Sequence, residues 1–192
     1  SDTLNFNGGT ITGTPLLEHS ALNLGAGSTS PASFTTRGSS TLSGDVKSSQ
    51  LITVQGSGIG TGTLTSASSY TNSGTITLQS IDGGYTTNLT VSGANVLTNA
   101  ASGVINSNFG FGGGRNIYAH VDNNGTININ KNTNFSKTNG VYSNTGEIVI
   151  NGVTATFAGT SAVLTNEPTG TISGVGTFDP SAITFNGDGT VA

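Results

Sequence analysis

The sequence predicts an all-β chain folded as a parallel β-helix (β-solenoid) of about eight or nine rungs. Three observations lead there: a recurring Asn-x-Gly-Thr-Ile theme, short apolar alternations between Gly/Asn corners, and a composition unsuited to an ordinary globular core.

The repeat comes first, because self-similarity at a fixed period decides the fold before any local propensity does. From residue 70 the segments YTNSGTITL (70–78), LTNAASGVIN (97–106), VDNNGTINI (121–129), YSNTGEIVI (142–150) and LTNEPTGTIS (164–173) return. Their glycines, Gly74, Gly103, Gly125, Gly146 and Gly170, together with Gly189 of FNGDGTVA (185–192), lie 29, 22, 21, 24 and 19 residues apart. Earlier, FNGGTIT (6–12) and STLSGDVKS (40–48) echo the theme more loosely. Each position has a structural reason. A leading Leu, Tyr or Val is a buried side chain, and the Asn after it tolerates left-handed backbone. The glycine is expected to supply positive φ at a corner. Thr-Ile-x-Ile/Leu reads as a short strand with Ile inward and Thr or Asn outward. A second strand per repeat is read at LTV (89–91), IYAHV (117–121), VTATF (153–157) and GVGTF (174–178).

One such unit cannot bury its own apolar edge, whereas stacked units can, with Ile, Val, Leu and Phe in columns and corner Asn side chains in hydrogen-bonded ladders. A narrow core of that kind suits a chain of 192 residues that is 32% apolar and 7% charged, with Gly, Thr, Ser and Asn making up more than half. A β-sandwich is the alternative, since it too has many short strands, but it does not require one turn sequence to return at intervals. The chain is treated as a single domain over 1–192, with 64–192 regular and 1–63 a less regular candidate N-terminal cap.

Recurrent φ-x-N-x-G-T-I segments of this length resemble the passenger domains of autotransporters and the filamentous-haemagglutinin-type adhesins of bacteria. The likeness covers residues 64–192 well and 1–63 poorly. It implies a right-handed, exported, extracellular or cell-surface solenoid used for adhesion, self-association or display. It carries over no functional residue, because the matched positions are structural.

Composition narrows the chemistry. With no Cys, a disulfide framework and a thiolate metal site are excluded. Five Lys and Arg against nine acids argue against a nucleic-acid partner, which demands phosphate neutralisation. No stretch approaches the roughly 20 apolar residues of a membrane helix, so no membrane insertion is expected of this segment. The lack of an initiator Met reads as processing or excision from a larger protein. FNGDGTVA resembles the start of another rung, and so an uncapped C-terminal edge open to end-to-end association.

The residues most suggestive of a ligand site lie in RNIYAHVD (115–122). As one strand, Ile117, Ala119 and Val121 face the core while Asn116, Tyr118, His120 and Asp122 share an outer face. There an aromatic ring beside an imidazole and a carboxylate suits a sugar. Arg115, Asn116, Tyr118, His120 and Asp122 are therefore the candidate ligand-binding residues, with no catalytic residue, metal ligand or cofactor assigned. His19 and His120 are the only histidines, too few for a multi-His metal centre. Of the nine acids, stacking brings at best Asp122, Glu147 and Glu167 near one another. GFGGGRN (110–116) lacks the phosphate-loop pattern and reads as a mobile bulge. DNNG (122–125) and NGDG (186–189) are incomplete as calcium loops and read as turns. Sequons stand at Asn88, Asn124 and Asn134, with Asn124 in a corner. T-x-T pairs in GTITGT (9–14), GTGTLT (60–65) and TIT (75–77) raise ice binding, though later rungs break the array. The expected function is a non-enzymatic structural or adhesive segment that presents a polar face to surface glycans or to copies of itself. The alternatives are a carbohydrate-binding module, a polysaccharide-degrading β-helix and an ice-binding protein.

Overall fold

Runs of four or five residues that alternate Thr or Asn with Ile, Leu or Val bury only one edge each, and the chain resolves this by stacking them. A computed structural model describes residues 2–192, which wind into about nine turns with no helix among them. The first three turns hold two strands each: β1 Thr3–Phe6 and β2 Leu16–Glu18, β3 Ala21–Leu24 and β4 Ala32–Arg37, β5 Ser39–Ser43 and β6 Gln50–Gly56. The next three turns hold three. They are β7 Gly62–Ser66, β8 Tyr70–Asn72 and β9 Thr75–Ser80; β10 Thr87–Val91, β11 Val96–Asn99 and β12 Val104–Ser107; β13 Arg115–Tyr118, β14 His120–Asn123 and β15 Thr126–Ile129. The last three continue the pattern: β16 Thr133–Ser136, β17 Val141–Asn144 and β18 Glu147–Ile150; β19 Thr154–Ala158, β20 Val163–Asn166 and β21 Thr171–Gly174; β22 Thr177–Asp179, β23 Thr184–Gly187 and β24 Thr190–Val191.

These strands build three parallel sheets. Sheet A runs from β1 to β22 and sheet B from β2 to β24, nine strands each, and sheet C holds the six strands from β8 to β23. Three parallel sheets around one axis replace the two packed sheets of the sandwich alternative. The φ-x-N segments, read as corners, are themselves the strands of sheet C.

Pairing is in register, so like side chains stack. Ile52, Ile76, Ile105, Ile127, Ile148 and Ile172 form one unbroken column inside sheet B. Leu64, Leu89, Ile117, Phe135 and Phe157 line sheet A, and Tyr70, Leu97, Val121, Tyr142 and Leu164 line sheet C. Phe135 and Phe157 stack with ring centroids 4.3 Å apart, and Tyr142 meets Phe157 edge-on at 5.5 Å. A few side chains per turn from each sheet thus close the core, sheet B adding Val54, Leu78, Ile129 and Ile150 to its isoleucine column, which explains why so little apolar content suffices.

The Asn of the repeat forms the ladder expected of it, but inside the rod and not on its corners. Asn72, Asn99, Asn123, Asn144 and Asn166 are wholly buried. Each Nδ2 donates to the next Oδ1, at 2.8, 2.8, 2.7 and 2.7 Å along the series. The same Nδ2 groups reach the backbone carbonyls of Val104, Thr126, Glu147, Thr171 and Thr190, the first residues of the following sheet B strands. An amide is both donor and acceptor, so identical residues satisfy one another without limit, which no hydroxyl or carboxylate column does as well. Outer columns run the other way. Asn116 donates to Asn88 at 2.9 Å, Asn128 to Asn106 at 2.9 Å, and Asn151 to Asn130 at 2.7 Å.

Two backbone expectations need correction. The ladder asparagines are extended, and among the described residues the only non-glycine ones with positive φ are His19, Asn139 and Ser161. The repeat glycines at 74, 103, 125, 146, 170 and 189 are likewise absent from the positive-φ set. What they supply is space. A Cβ on Gly125 would collide with the Ala100 and Gly103 carbonyl oxygens, and one on Gly146 with the Gly125 carbonyl oxygen. The turns approach closely where the chain passes from sheet C to sheet B, and only glycine fits there.

Asn123→Ala orphans the buried Oδ1 of Asn144, takes from Asn99 Nδ2 its shortest bond and opens a cavity, so it should lower the unfolding free energy by about 2–4 kcal/mol. Asn128→Ala, on the outer column, should cost under about 0.5 kcal/mol. Urea denaturation of both variants checks the contrast, and equal losses would show that the inner ladder carries no special weight.

Candidate functional site

The segment 115–122 is not one strand. Its first half is β13 on sheet A and its second half is β14 on sheet C, with a bend at the fully buried Ala119. The inward set Ile117, Ala119 and Val121 is as expected. The outward set divides between two faces because the chain turns a corner: Asn116 and Tyr118 look out from sheet A, His120 and Asp122 from sheet C. The shared outer face expected of these four is therefore replaced by two faces meeting at an edge.

Arg115 is not on either face. It is fully buried, the largest side chain with no exposure. Its register partners Thr87 and Thr133 are inward positions of sheet A, and its guanidinium lies beneath the loop 108–114. Nε donates to the Asn108 carbonyl at 3.0 Å, and Nη1 to Gly112 and Gly114 at 2.9 Å each. Nη2 donates to the Phe109 carbonyl at 2.7 Å and to Ser80 Oγ at 3.3 Å. All five N–H groups are met and no carboxylate takes part. Desolvation pushes the pKa down to about 10, which still leaves the group charged at neutral pH. GFGGGRN is thus a carbonyl cage closed on a cation, the reverse of a phosphate cradle. Gly110 and Gly113, at φ 56° and 68°, allow the carbonyls to turn inward. The bulge expected here is present, clasped by Arg115.

On sheet A, Asn116 belongs to an outward column of polar groups. Asn88 Nδ2 donates to Thr63 Oγ1 at 3.2 Å, Asn116 to Asn88 at 2.9 Å and Asn134 to Asn116 at 3.3 Å. Beside it, Thr65, Thr90 and Tyr118 are in register on successive turns. Two of the three sequon asparagines, Asn88 and Asn134, sit in this column. The third, Asn124, occupies a corner, where its Oδ1 accepts from Thr145 Oγ1 at 2.6 Å.

Sheet C carries a shallow depression of about 520 Å³ lined by Ala94, Val96, His120, Asp122, Val141 and Ser143, with Val121 behind it. Its floor is aliphatic and its polar groups are His120, Asp122 and Ser143. His120 Nδ1 accepts the Val141 backbone N–H at 3.0 Å, which fixes the proton on Nε2, pointing away from that bond. Desolvation, and then the positive charge of Lys137, hold the imidazole below its ordinary value. Asp122, Ser143 and Thr165 are consecutive in register, and Ser143 Oγ donates to Glu167 Oε1 at 3.4 Å. Glu147 begins β18 on sheet B, so the three acids considered together do not meet. Among the described residues no group of three His, Cys, Asp or Glu is placed to hold a metal ion.

The T-x-T pairs scatter. GTITGT precedes β2 outside any strand, Thr63 and Thr65 face out from sheet A, and Thr75 and Thr77 lie on sheet B. The sequence gives no sign of the exposed Phe109 and Phe111, because they stand in an irregular loop where no periodicity assigns a face. Compared with protein-family models, curated proteins and solved structures, the chain matches none.

Arg115→Met should open the 108–114 loop, since four backbone carbonyls lose a charged donor together. Limited proteolysis should then cleave within Phe109–Phe111 far faster than in the wild type; unchanged cleavage would show that the loop holds itself. His120 binds its proton less readily folded than unfolded, so its neutral form contributes stability above pH 6.5 that is lost as pH falls through the lower folded value. The melting temperature of His120→Gln should therefore fall less than the wild type's between pH 7 and 5. Parallel profiles would remove His120 from the pH dependence.

Proposed function

We propose that the chain is a non-enzymatic adhesive rod of an exported surface protein, presenting polar faces to extended glycans and to other copies of itself. The observation that carries this reading is the outward column Thr63–Asn88–Asn116–Asn134 on sheet A. Each amide in it uses one N–H on its neighbour and leaves the second N–H and an oxygen lone pair to solvent. The column repeats at the separation of paired strands, about 4.8 Å, close to the length of one sugar residue in an extended chain. A glycan strand lying along the rod axis therefore meets an amide at each of several successive residues. Tyr118, flanking Asn116 on the same face, offers a ring for a pyranose to stack on, and the Thr65–Thr90 hydroxyls continue that flank. Each contact is weak and exposed, so affinity arises from repetition along the column.

The sheet C depression, with its aliphatic floor beside His120 and Asp122, supports a second, shorter glycan contact on the adjoining face. Ice binding is favoured by one specific feature: Ser39-x-Thr41 and Thr63-x-Thr65 lie in register on sheet A, followed by Asn88-x-Thr90. That array ends at Tyr118, and thermal hysteresis of the purified protein tests it.

Affinity electrophoresis through gels carrying neutral β-linked polysaccharides should retard the wild-type chain. Asn116→Ala combined with Tyr118→Ala should lose most of the retardation, and His120→Ala alone should lose little. If no polysaccharide in a broad panel retards the wild type, the glycan half of the reading fails. Release of reducing sugar during the same experiment would replace adhesion with a degrading enzyme.

A further inference from the structure

Where each turn passes from sheet B to sheet A, four successive loops lie over one another: residues 57–60, 81–86, 108–114 and 130–132. The Ile81 N–H donates to the Gly56 carbonyl at 3.0 Å, and the Phe111 N–H to the Ser80 carbonyl at 3.3 Å, so each of these two loops is tied by its backbone to the strand end one turn before it. This corner carries an apolar ridge. Ile59 is 48% exposed, Ile81 37%, Phe109 58% and Phe111 73%. Apolar side chains exposed singly need no explanation, but these four stand on the loops of three consecutive turns along one corner of the rod. Nor is the ridge slack. The loop bearing both phenylalanines is clasped by the buried Arg115, so their positions are fixed before any partner arrives.

Charges flank this centre in an ordered way. Asp82 stands one turn before the 108–114 loop, where its Oδ2 accepts the Gly58 N–H at 3.0 Å. Lys131 stands one turn after it, with Nζ 4.4 Å from the centre of the Phe109 ring. The ion pairs among the described residues are Arg37–Glu18 and Lys47–Asp45, so neither Asp82 nor Lys131 has a partner of opposite charge. Along the rod the corner therefore reads acid, aromatic pair, base.

We propose that this ridge pairs side by side with the same ridge of a second copy, antiparallel, about a two-fold axis through the 108–114 loop. In that arrangement Phe109 and Phe111 of both copies meet at the axis, and Asp82 of each copy lies opposite Lys131 of the other. A parallel arrangement would set Asp82 against Asp82 and Lys131 against Lys131, so charge selects the antiparallel form. One acid and one base leave the exposed side chains of the ridge without net charge to draw them to anionic lipid, and the Arg115 cation is enclosed by carbonyls beneath them. The contact is small, so pairing is weak and concentration-dependent. The proposal deepens the self-association half of the function proposed above and rests on it. Glycan retention reads sheets A and C while pairing reads the corner, so the two fail separately.

The test is sedimentation equilibrium at rising concentration and low salt. The wild type should approach twice the chain mass, whereas Phe111→Asp should remain at the monomer mass with unchanged melting temperature and glycan retention. Asp82→Lys and Lys131→Asp should each weaken pairing roughly tenfold, the double variant should recover it, and the two single variants mixed should pair with each other. A wild type monomeric at every concentration overturns the proposal. So does Phe111→Asp that still associates, which would place the contact at the rod ends, or a double reversal that fails to recover. A monomeric wild type that co-sediments with uncharged phosphatidylcholine vesicles overturns it in favour of a lipid partner.

Discussion

Register is the constraint on which every other feature of this rod depends, and from the fourth turn to the eighth the buried amide ladder from Asn72 to Asn166 holds it. A parallel pair of short strands is not strongly particular about alignment unless something penalises a slip. Moving one turn by a residue would bring a Thr or Asn of the outer face into the core. It would also break the chain of Nδ2-to-Oδ1 bonds at that turn. The ladder thus converts a tolerant stack into one with a single alignment. Its tie to the first carbonyl of each following sheet B strand carries that alignment around the corner.

With register fixed, the rest follows by translation. The isoleucine column of sheet B, the aromatic stack through Phe135, Tyr142 and Phe157, and the outer amide columns are all consequences of superposing like on like. The same translation explains why chemistry is sparse. A residue that recurs on every turn builds a surface, whereas a site needs residues that do not recur. The departures are Arg115 in an inward column between Thr87 and Thr133, the loop it clasps, and the His120–Asp122 pair on the outer face of sheet C between Val96–Thr98 and Val141–Ser143.

What was legible in the sequence follows this division. Period-2 alternation and the returning Asn-x-Gly pointed to the parallel solenoid, its number of turns and the inward identity of Ile117 and Val121, because those depend only on local pattern. The location of the ladder was not legible, since an Asn before a Gly is as consistent with a turn as with a buried strand end. The role of the repeat glycines was misread for a related reason. Sequence shows that a side chain is missing, while whether conformation or clearance demands its absence depends on the turn above. The corner at Ala119 was hidden because both halves of 115–122 keep the alternation across the bend. Arg115 enters the candidate ligand set because nearly all arginines reach solvent, an expectation that fails when a loop folds its own carbonyls over one.

The opposed directions of the amide columns bear on how long such a rod can grow. In the inner ladder every donor points toward the C-terminal end, and in the outer columns every donor points toward the N-terminal end. The side-chain dipoles therefore cancel across the section, and the strands, lying across the axis, add little along it. An α-helix concentrates partial charge at its two ends. This architecture does not, so a further turn meets the same electrostatic environment as the one before it. Length is electrically free, and what limits it is only whether the next segment of chain can match the register.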